Sequence, residues 1–411
     1  MKKIRRALMV LLAAALCCGA AASAHSAGLF NFFGKNKAVT ISQEEYDRLS
    51  RFAKLDEIMQ YIDAWYYEEP DEERLLQAAA TGLVAGLGDI YSFYYTPDAW
   101  KESQEDDEGE YGGVGLELQG SYTDANVRIT RVFRDTPAEA AGILKGDLLV
   151  RVADVEVDVY TMQEAVNIMR GEVDEAVEIE VYRDGEYLTF SVPRAVIHVN
   201  RIEYAMLDKQ VGYIMLYQFA GESQAEFAQA LSALRGQGAQ ALIVDLRDNG
   251  GGWVDAAVDI ADLFLPKNQV LVYAQNRQGE KESWKTRLDA CDDIPLVFLV
   301  NGSSASASEI LAGGLQDLNR AALVGEKTFG KGVMQAVIPL EGDEDGFQLT
   351  YAQYFLPSGA AVHKVGLTPD VEIIMPEELA KTLFPLGDLS DPQLAKALEI
   401  ARGLLPAQNA A

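Results

Sequence analysis

Residues 295–340 read PLVFLV NGSSASASEI LAGGLQDLNR AALVGEKTFG KGVMQAVIPL, and their pattern decides the fold. Residues 295–300 form a short unbroken apolar run, as expected of a strand covered on both faces. Residues 305–318 carry a helical pattern, and 321–325 and 333–340 return to strand patterns. Strand, helix, strand predicts an α/β unit. The alternation extends outward on the amino-terminal side. Residues 211–219 read as a strand, and 224–234 as a helix with Phe227, Ala230, Leu231 and Leu234 on its inner face. Residues 241–246 are a short apolar strand and 253–265 another helix. On the other side, 348–355 is expected to pair with 333–340 across the acidic turn 341–346, and 375–402 reads as a helical tail.

Ahead of this core lie two further units. From 42 to 100 the apolar positions Leu49, Phe52, Leu55, Ile58, Met59, Ile62 and Trp65 recur at three- and four-residue steps, predicting helices. Six acidic residues between Glu102 and Glu110 read as a solvated linker. Then come Gly112-Gly-Val-Gly-Leu116, alternating residues at 127–132, Thr136-Pro-Ala...Ala-Gly142, the turn Gly146-Asp147, a helix at 162–169, and a hairpin around Asp184-Gly185. Together these resemble a PDZ domain over 104–195. The resemblance implies that the amides of Gly112, Gly113, Val114, Gly115 and Leu116 receive a chain-terminal carboxylate. The peptide would then add as a strand beside the 161–170 helix.

The termini and charge bound the rest. Met-Lys-Lys-Ile-Arg-Arg, an apolar run from Ala7 to Ala22 and Ala22-Ser-Ala24 describe a secretory signal peptide at 1–24, or an uncleaved membrane anchor of nearly span length. Either reading sends the protein out of the cytoplasm, to the envelope, the periplasm or the exterior. Of three cysteines, Cys17 and Cys18 fall in that leader and Cys291 stands alone, so no disulfide is expected within the exported part. Hydrophobic content of 49% in 411 residues supports a sizeable core, with stability resting on packing. The net charge of −28 repels nucleic acid and excludes it as a partner. The three histidines are scattered and no His/Cys cluster exists, so neither metal nor cofactor is expected.

A serine hydroxyl becomes a nucleophile only when a base takes its proton. Ser304, Ser306 and Ser308 are candidates. Ser306-x-x-Glu309 also fits a capping box, which suffices to explain it structurally. The same placement would aim the Ala307 N–H out of a helix start toward developing negative charge. None of His25, His198 and His363 adjoins a serine candidate, and G-x-S-x-G is absent from the core. Lys331, between Gly330 and Gly332, is the better base, provided burial holds its amine neutral near pH 7. If 331–338 is a strand, Lys331, Val333 and Gln335 share a face, and Gln335 can orient the amine by a neutral hydrogen bond. Asp248-Asn-Gly-Gly-Gly252 reads as a glycine-rich turn; paired with Ala307, an amide there, foremost that of Gly251, would complete an oxyanion hole. Gly325-Glu-Lys-Thr-Phe-Gly-Lys331-Gly332 approaches a phosphate-binding loop, but lacks the final hydroxyl and leads into a strand.

The segments 301–310, Gly325-Glu...Phe329-Gly-Lys-Gly...Gln335, Leu349-Thr350, Pro357-Ser-Gly359, Gly366...Pro369-Asp370 and Asp245-Leu-Arg-Asp-Asn-Gly-Gly-Gly252 resemble the carboxyl-terminal processing proteases, also called tail-specific proteases. With the PDZ-like unit, the likeness covers about 42–375. It implies an α/β, crotonase-like protease core at 196–374, with the PDZ domain inserted and helical elements at 42–100 and 375–411. It implies Ser306 as nucleophile, Lys331 as base and Gln335 as its orienting partner, with protein C-termini as substrates. Gly250 departs from the family's pattern, in which proline often precedes the paired glycines. The helical ends are expected to support a homodimer. The rival expectation is a non-catalytic PDZ adaptor that holds partner tails.

Overall fold

The computed structural model describes residues 40–405, apart from 122, 123, 290, 343, 380 and 381. The leader, with Cys17, Cys18 and His25, lies outside the described residues. The chain divides near Leu75 into two compact units. In the first, helices Gln43–Ser50 and Ala53–Trp65 follow a capping box in which Ser42 and Glu45 bond reciprocally. Neither helix buries a residue, so the apolar stripe at Leu49, Phe52, Leu55 and Ile58 is exposed. Helix Glu72–Ala85 runs across the division. Among the described residues no helix is long and apolar enough to cross a membrane.

The second unit is built on a six-stranded sheet. Its order is Ile202–Met206, Val211–Leu216, Ala241–Asp245, Leu296–Val300, Ala321–Gly325 and Val371–Glu372; the first pair is antiparallel and the rest parallel. Residues alternate between two faces, and both faces are covered. Leu242, Val244, Leu296, Phe298 and Val300 pack with Phe227, Leu234, Ile260, Ile310 and Leu311 from helices Ser223–Gly236, Val254–Asp262 and Ala307–Asp317. Ile243, Val297, Leu299 and Val324 point the other way, onto Leu394, Ala397, Leu398 and Ala401 of helix Pro392–Gly403. Double coverage is why these strands read as continuous apolar runs rather than alternating ones. Each fully buried side chain contributes about 1.5–3 kcal/mol. An antiparallel sheet, with Gly346–Phe355 paired to Val270–Asn276 and Val333–Pro339, stands beside it.

The PDZ region is a second core, with strands Leu116–Gly120, Val127–Val132, Leu148–Val152, Ala176–Arg183 and Glu186–Pro193 and helices Pro137–Ala141 and Met162–Met169. Asp147, 2% exposed, accepts both forks of Arg183 at 2.6 Å, which fixes the Gly146-Asp147 turn.

Three sequence expectations need correction. Residues 42–100 are not wholly helical: Phe93–Tyr95 is a strand added to the edge of Gly346–Phe355. The acidic stretch after it is a helix, Pro97–Glu108, rather than a linker. Thr96 caps it, Pro97 starts it, and Trp100, 7% exposed, anchors it against Gly346. Asp98, Glu102 and Asp107 of this helix are exposed, a pattern that composition alone cannot distinguish from a linker. Among the described residues of the tail, helix is confined to Pro392–Gly403, which Asp391 caps.

Candidate active site

The three serines are separated by their hydrogen bonds. Ser304 Oγ donates to Leu246 O at 2.7 Å and Ser308 Oγ to Asn249 O at 2.9 Å, so both tie the helix start to the glycine-rich loop. Ser306 is different. Its backbone sits at φ 55°, ψ −115°, a conformation costing about 1–3 kcal/mol for a non-glycine residue. A sharp turn into helix Ala307–Asp317 results, of the kind G-x-S-x-G provides elsewhere. Here the room comes from small neighbours, Ala305 and Ala307, and from Gly251 across the turn. A Cβ at Gly251 would lie 2.7 Å from Ala305 O and 2.8 Å from Ser306 Cβ, and its φ of +106° favours glycine independently.

Glu309 holds this geometry together. It is fully buried, and its carboxylate accepts four hydrogen bonds: from Ser306 N (3.0 Å), Lys331 N (2.9 Å), Gly330 N (2.8 Å) and Thr328 Oγ1 (2.5 Å). Burial pushes its carboxyl up, and those four donors oppose the rise. One side chain thus clamps the backbones of the serine and the lysine. The capping pattern made the bond between Glu309 and Ser306 visible in the sequence; its three other donors, about 20 residues further along the chain, were not.

Lys331 is half-buried, and burial holds its amine below the ordinary lysine range against the pull of the Asp89 and Glu309 charges. Its Nζ lies 5.0 Å from the centre of the Tyr91 ring. Gly332 allows close backbone approach: a Cβ there would meet His363 N at 2.1 Å. The expected strand begins only at Val333, and a register shift between Met334 and Gln335 interrupts the alternation that would align Lys331 with Gln335. Gln335 nonetheless lines the same cavity, its Nε2 donating to Thr350 Oγ1 at 3.3 Å. The phosphate-loop resemblance fails on geometry, since the amides of Gly330 and Lys331 already serve Glu309 and no helix follows.

Ser306, Lys331 and Gln335 share a cavity of about 460 Å³ with Trp253, Ile310, Met334 and Tyr351. Tyr95, Ser103 and Asp107 close one side, from the strand and helix that composition had hidden. Ala307 is the first helical residue, so its N–H has no intrahelical acceptor. Gly251 departs from expectation: it abuts Ser306, but its N–H donates to Asn249 Oδ1 at 2.8 Å. As an oxyanion donor it would have to leave that bond. Gly252 lines the cavity directly.

A second groove, about 620 Å³, lies along the PDZ region and is lined by Val114, Leu116, Leu118, Phe133, Met162, Val166 and Met169. Gly112 and Gly113 sit in strand Glu110–Gly113, paired with Ala195–His198, and leave the lining to Val114 and Leu116. Gly115 O accepts from Phe133 N and Val114 O from Ala138 N, which fixes the loop. The groove extends to Gly250, Gly251 and Gly252, so the glycine-rich turn borders both spaces. The described histidines are elsewhere: His198 is exposed and faces Glu110, and His363 is absent from the cavity lining.

Known proteins match this arrangement. Residues 210–373 match the Peptidase family S41 model and 128–183 a PDZ domain model. The chain is 35% identical over 371 residues to a carboxyl-terminal-processing protease of Synechocystis, covering 87% of this chain and 85% of that one. It is 31% identical over 349 residues to a carboxy-terminal-processing protease of Bartonella bacilliformis, covering 83% and 79%. The solved photosystem II D1 C-terminal processing protease aligns with 86% of this chain and all of its own, at 28% identity and a TM-score of 0.52. With a PDZ region set against an S41 core and a serine at a strained helix start, the chain belongs to the carboxyl-terminal processing proteases, serine peptidases of family S41.

Proposed function

We propose that this protein is an exported endopeptidase that recognises protein C-termini in its PDZ groove and cuts by a Ser306–Lys331 dyad. The observation that carries the reading is Glu309, which joins the backbones of Ser306 and Lys331 beside one shared cavity. Neutral Lys331 Nζ takes the Ser306 Oγ proton as the oxygen attacks the scissile carbonyl. The negative charge forming on the carbonyl oxygen is met by the Ala307 N–H and by an amide of the 250–252 turn. The lysine then returns its proton to the leaving amine, giving an acyl-enzyme. A water, deprotonated by the same amine, releases the second product and restores the serine. Gln335 orients the amine, a role supported by its place in the cavity.

Apolar lining in the PDZ groove favours a substrate whose tail ends in apolar residues. Export rests on the basic, apolar and A-x-A pattern of 1–24, which would leave the protein either cleaved free or tethered to the membrane. The exposed stripe at 49–58 suits a homodimer contact. The test is a tagged, poorly folded target with an apolar C-terminus, incubated with wild-type, Ser306→Ala and Lys331→Ala proteins, its products mapped by mass. Cleavage by wild type alone is expected. Tail binding without cleavage by any of the three would instead identify an adaptor.

A further inference from the structure

The turn formed by Asp89, Ile90, Tyr91 and Ser92 has no part in the chemistry above, yet it is built against the lysine. Tyr91 presents its ring 5.0 Å from Lys331 Nζ. Asp89 accepts from Ser92 Oγ at 2.6 Å and from Tyr91 N at 3.1 Å, so its carboxylate is fixed within the turn. Ser92 Oγ in turn accepts from Thr350 N at 2.9 Å, and Tyr91 O accepts from Gln348 Nε2 at 2.9 Å. Thr350 is also the residue to which Gln335 donates. Turn, strand Gly346–Phe355 and orienting glutamine are therefore one polar chain, continued by the pairing of Phe93–Tyr95 with Gly346–Gln348.

We infer that Tyr91 and Asp89 are positioning residues for the catalytic lysine: the ring seats the amine, and the Asp89 carboxylate pins the turn that carries the ring. The inference rests on the proposed role of Lys331 as base. An aromatic face attracts a cation, and an anion nearby does the same, so both oppose the burial that frees the lone pair. Burial alone would raise the Asp89 carboxyl, but hydrogen bonds from Ser92, Thr350 and Tyr91, with the nearby His363, hold it below the usual range and so ionised. The other charge acting on the amine is that of Glu309, which also favours the ammonium; Asp107 and Asp255 are the further carboxylates lining the cavity. His363, which acts on Asp89, has a buried Nδ1 with no hydrogen-bond partner. The turn thereby sets the pH at which the enzyme switches on.

The test reads the acid limb of kcat/KM on a fluorogenic peptide, beside the titration of Lys331 followed by NMR of ¹³C-dimethylated lysines. The Lys331 signal is assigned with Lys331→Arg. Asp89→Asn and Tyr91→Leu are expected to move both midpoints to lower pH and to raise the rate below the wild-type limb by about threefold or more. Tyr91→Phe keeps the ring and leaves both in place. A uniform loss of rate with neither midpoint moved, in variants that unfold at the wild-type temperature, would overturn the inference. Should Asp89→Asn fail to fold, the comparison of Tyr91→Leu with Tyr91→Phe still decides it. The NMR titration is independent of turnover, so a moved midpoint in a protein that cuts nothing would place the failure in the proposed dyad and not in the seating of the amine by Tyr91.

Discussion

Replacing Glu309 with glutamine removes one charge and almost no volume, and the consequence follows from the four donors that surround it. Oε1 accepts from Thr328 Oγ1 and Gly330 N; Oε2 accepts from Ser306 N and Lys331 N. Glutamine offers a single oxygen, and its NH2 group must face one of these pairs. The less costly orientation puts NH2 toward Thr328, whose hydroxyl can accept, and strands only the Gly330 amide. A stranded buried N–H costs about 1–3 kcal/mol, and conversion of charge-assisted bonds to neutral ones adds to that. Stability should fall by about 2–4 kcal/mol. Activity should fall further, because Gly330 leads directly into Lys331, and a misplacement of about 1 Å can cost about 100-fold in rate. Urea unfolding and kcat/KM on one preparation separate the two effects. A Glu309→Gln protein as stable and as active as wild type would refute the claim that this carboxylate aligns the dyad.

Other outcomes follow from the same structure. Gly251→Ala should lower kcat by about 100-fold or more, since its Cβ would press on Ser306 Cβ and Ala305 O; unchanged kcat would mean that the turn relaxes freely. The pH–rate profile should rise with pH through a limb below the ordinary lysine range, because burial favours the neutral amine, the form the proposed base requires. Lys331→Arg, which cannot lose its proton, should abolish that limb together with turnover. Arg183→Ala leaves Asp147 buried without its partner and should destabilise the PDZ region by about 3–5 kcal/mol, read as weakened binding of an apolar-ended peptide and earlier unfolding. Trp100→Ala should lower the melting temperature through a loss of about 3–5 kcal/mol, as helix Pro97–Glu108 loses its anchor.

What the sequence disclosed, it disclosed through periodicity. The parallel strands at 241–245, 296–300 and 321–325 are buried on both faces, and their unbroken apolar runs say so directly. Glycines, a helix start and the lack of a nearby histidine narrowed the candidates to three serines and Lys331, with Gln335 as its partner; the choice of Ser306 among the serines came from the family resemblance. Three things stayed hidden. Helix Pro97–Glu108 buries Trp100 and exposes Asp98, Glu102 and Asp107, so its composition matches that of a linker. The Gly251 amide bonds Asn249 two residues earlier, a local choice that glycine spacing does not encode. Tyr91 approaches Lys331 from about 240 residues away, brought there by the pairing of Phe93–Tyr95 with Gly346–Gln348 and by the bonds of Tyr91 and Ser92 to Gln348 and Thr350.

The most direct measurement is a mass map of the acyl-enzyme. An excess of a C-terminally apolar peptide is mixed with enzyme, quenched in acid within the first turnover, digested and fragmented. The account predicts a peptide-derived acyl group on the hydroxyl of Ser306 alone, absent from Ser306→Ala and not formed by Lys331→Ala. An adduct on Ser304, Ser308 or Cys291, or undiminished acylation without the lysine, would contradict it.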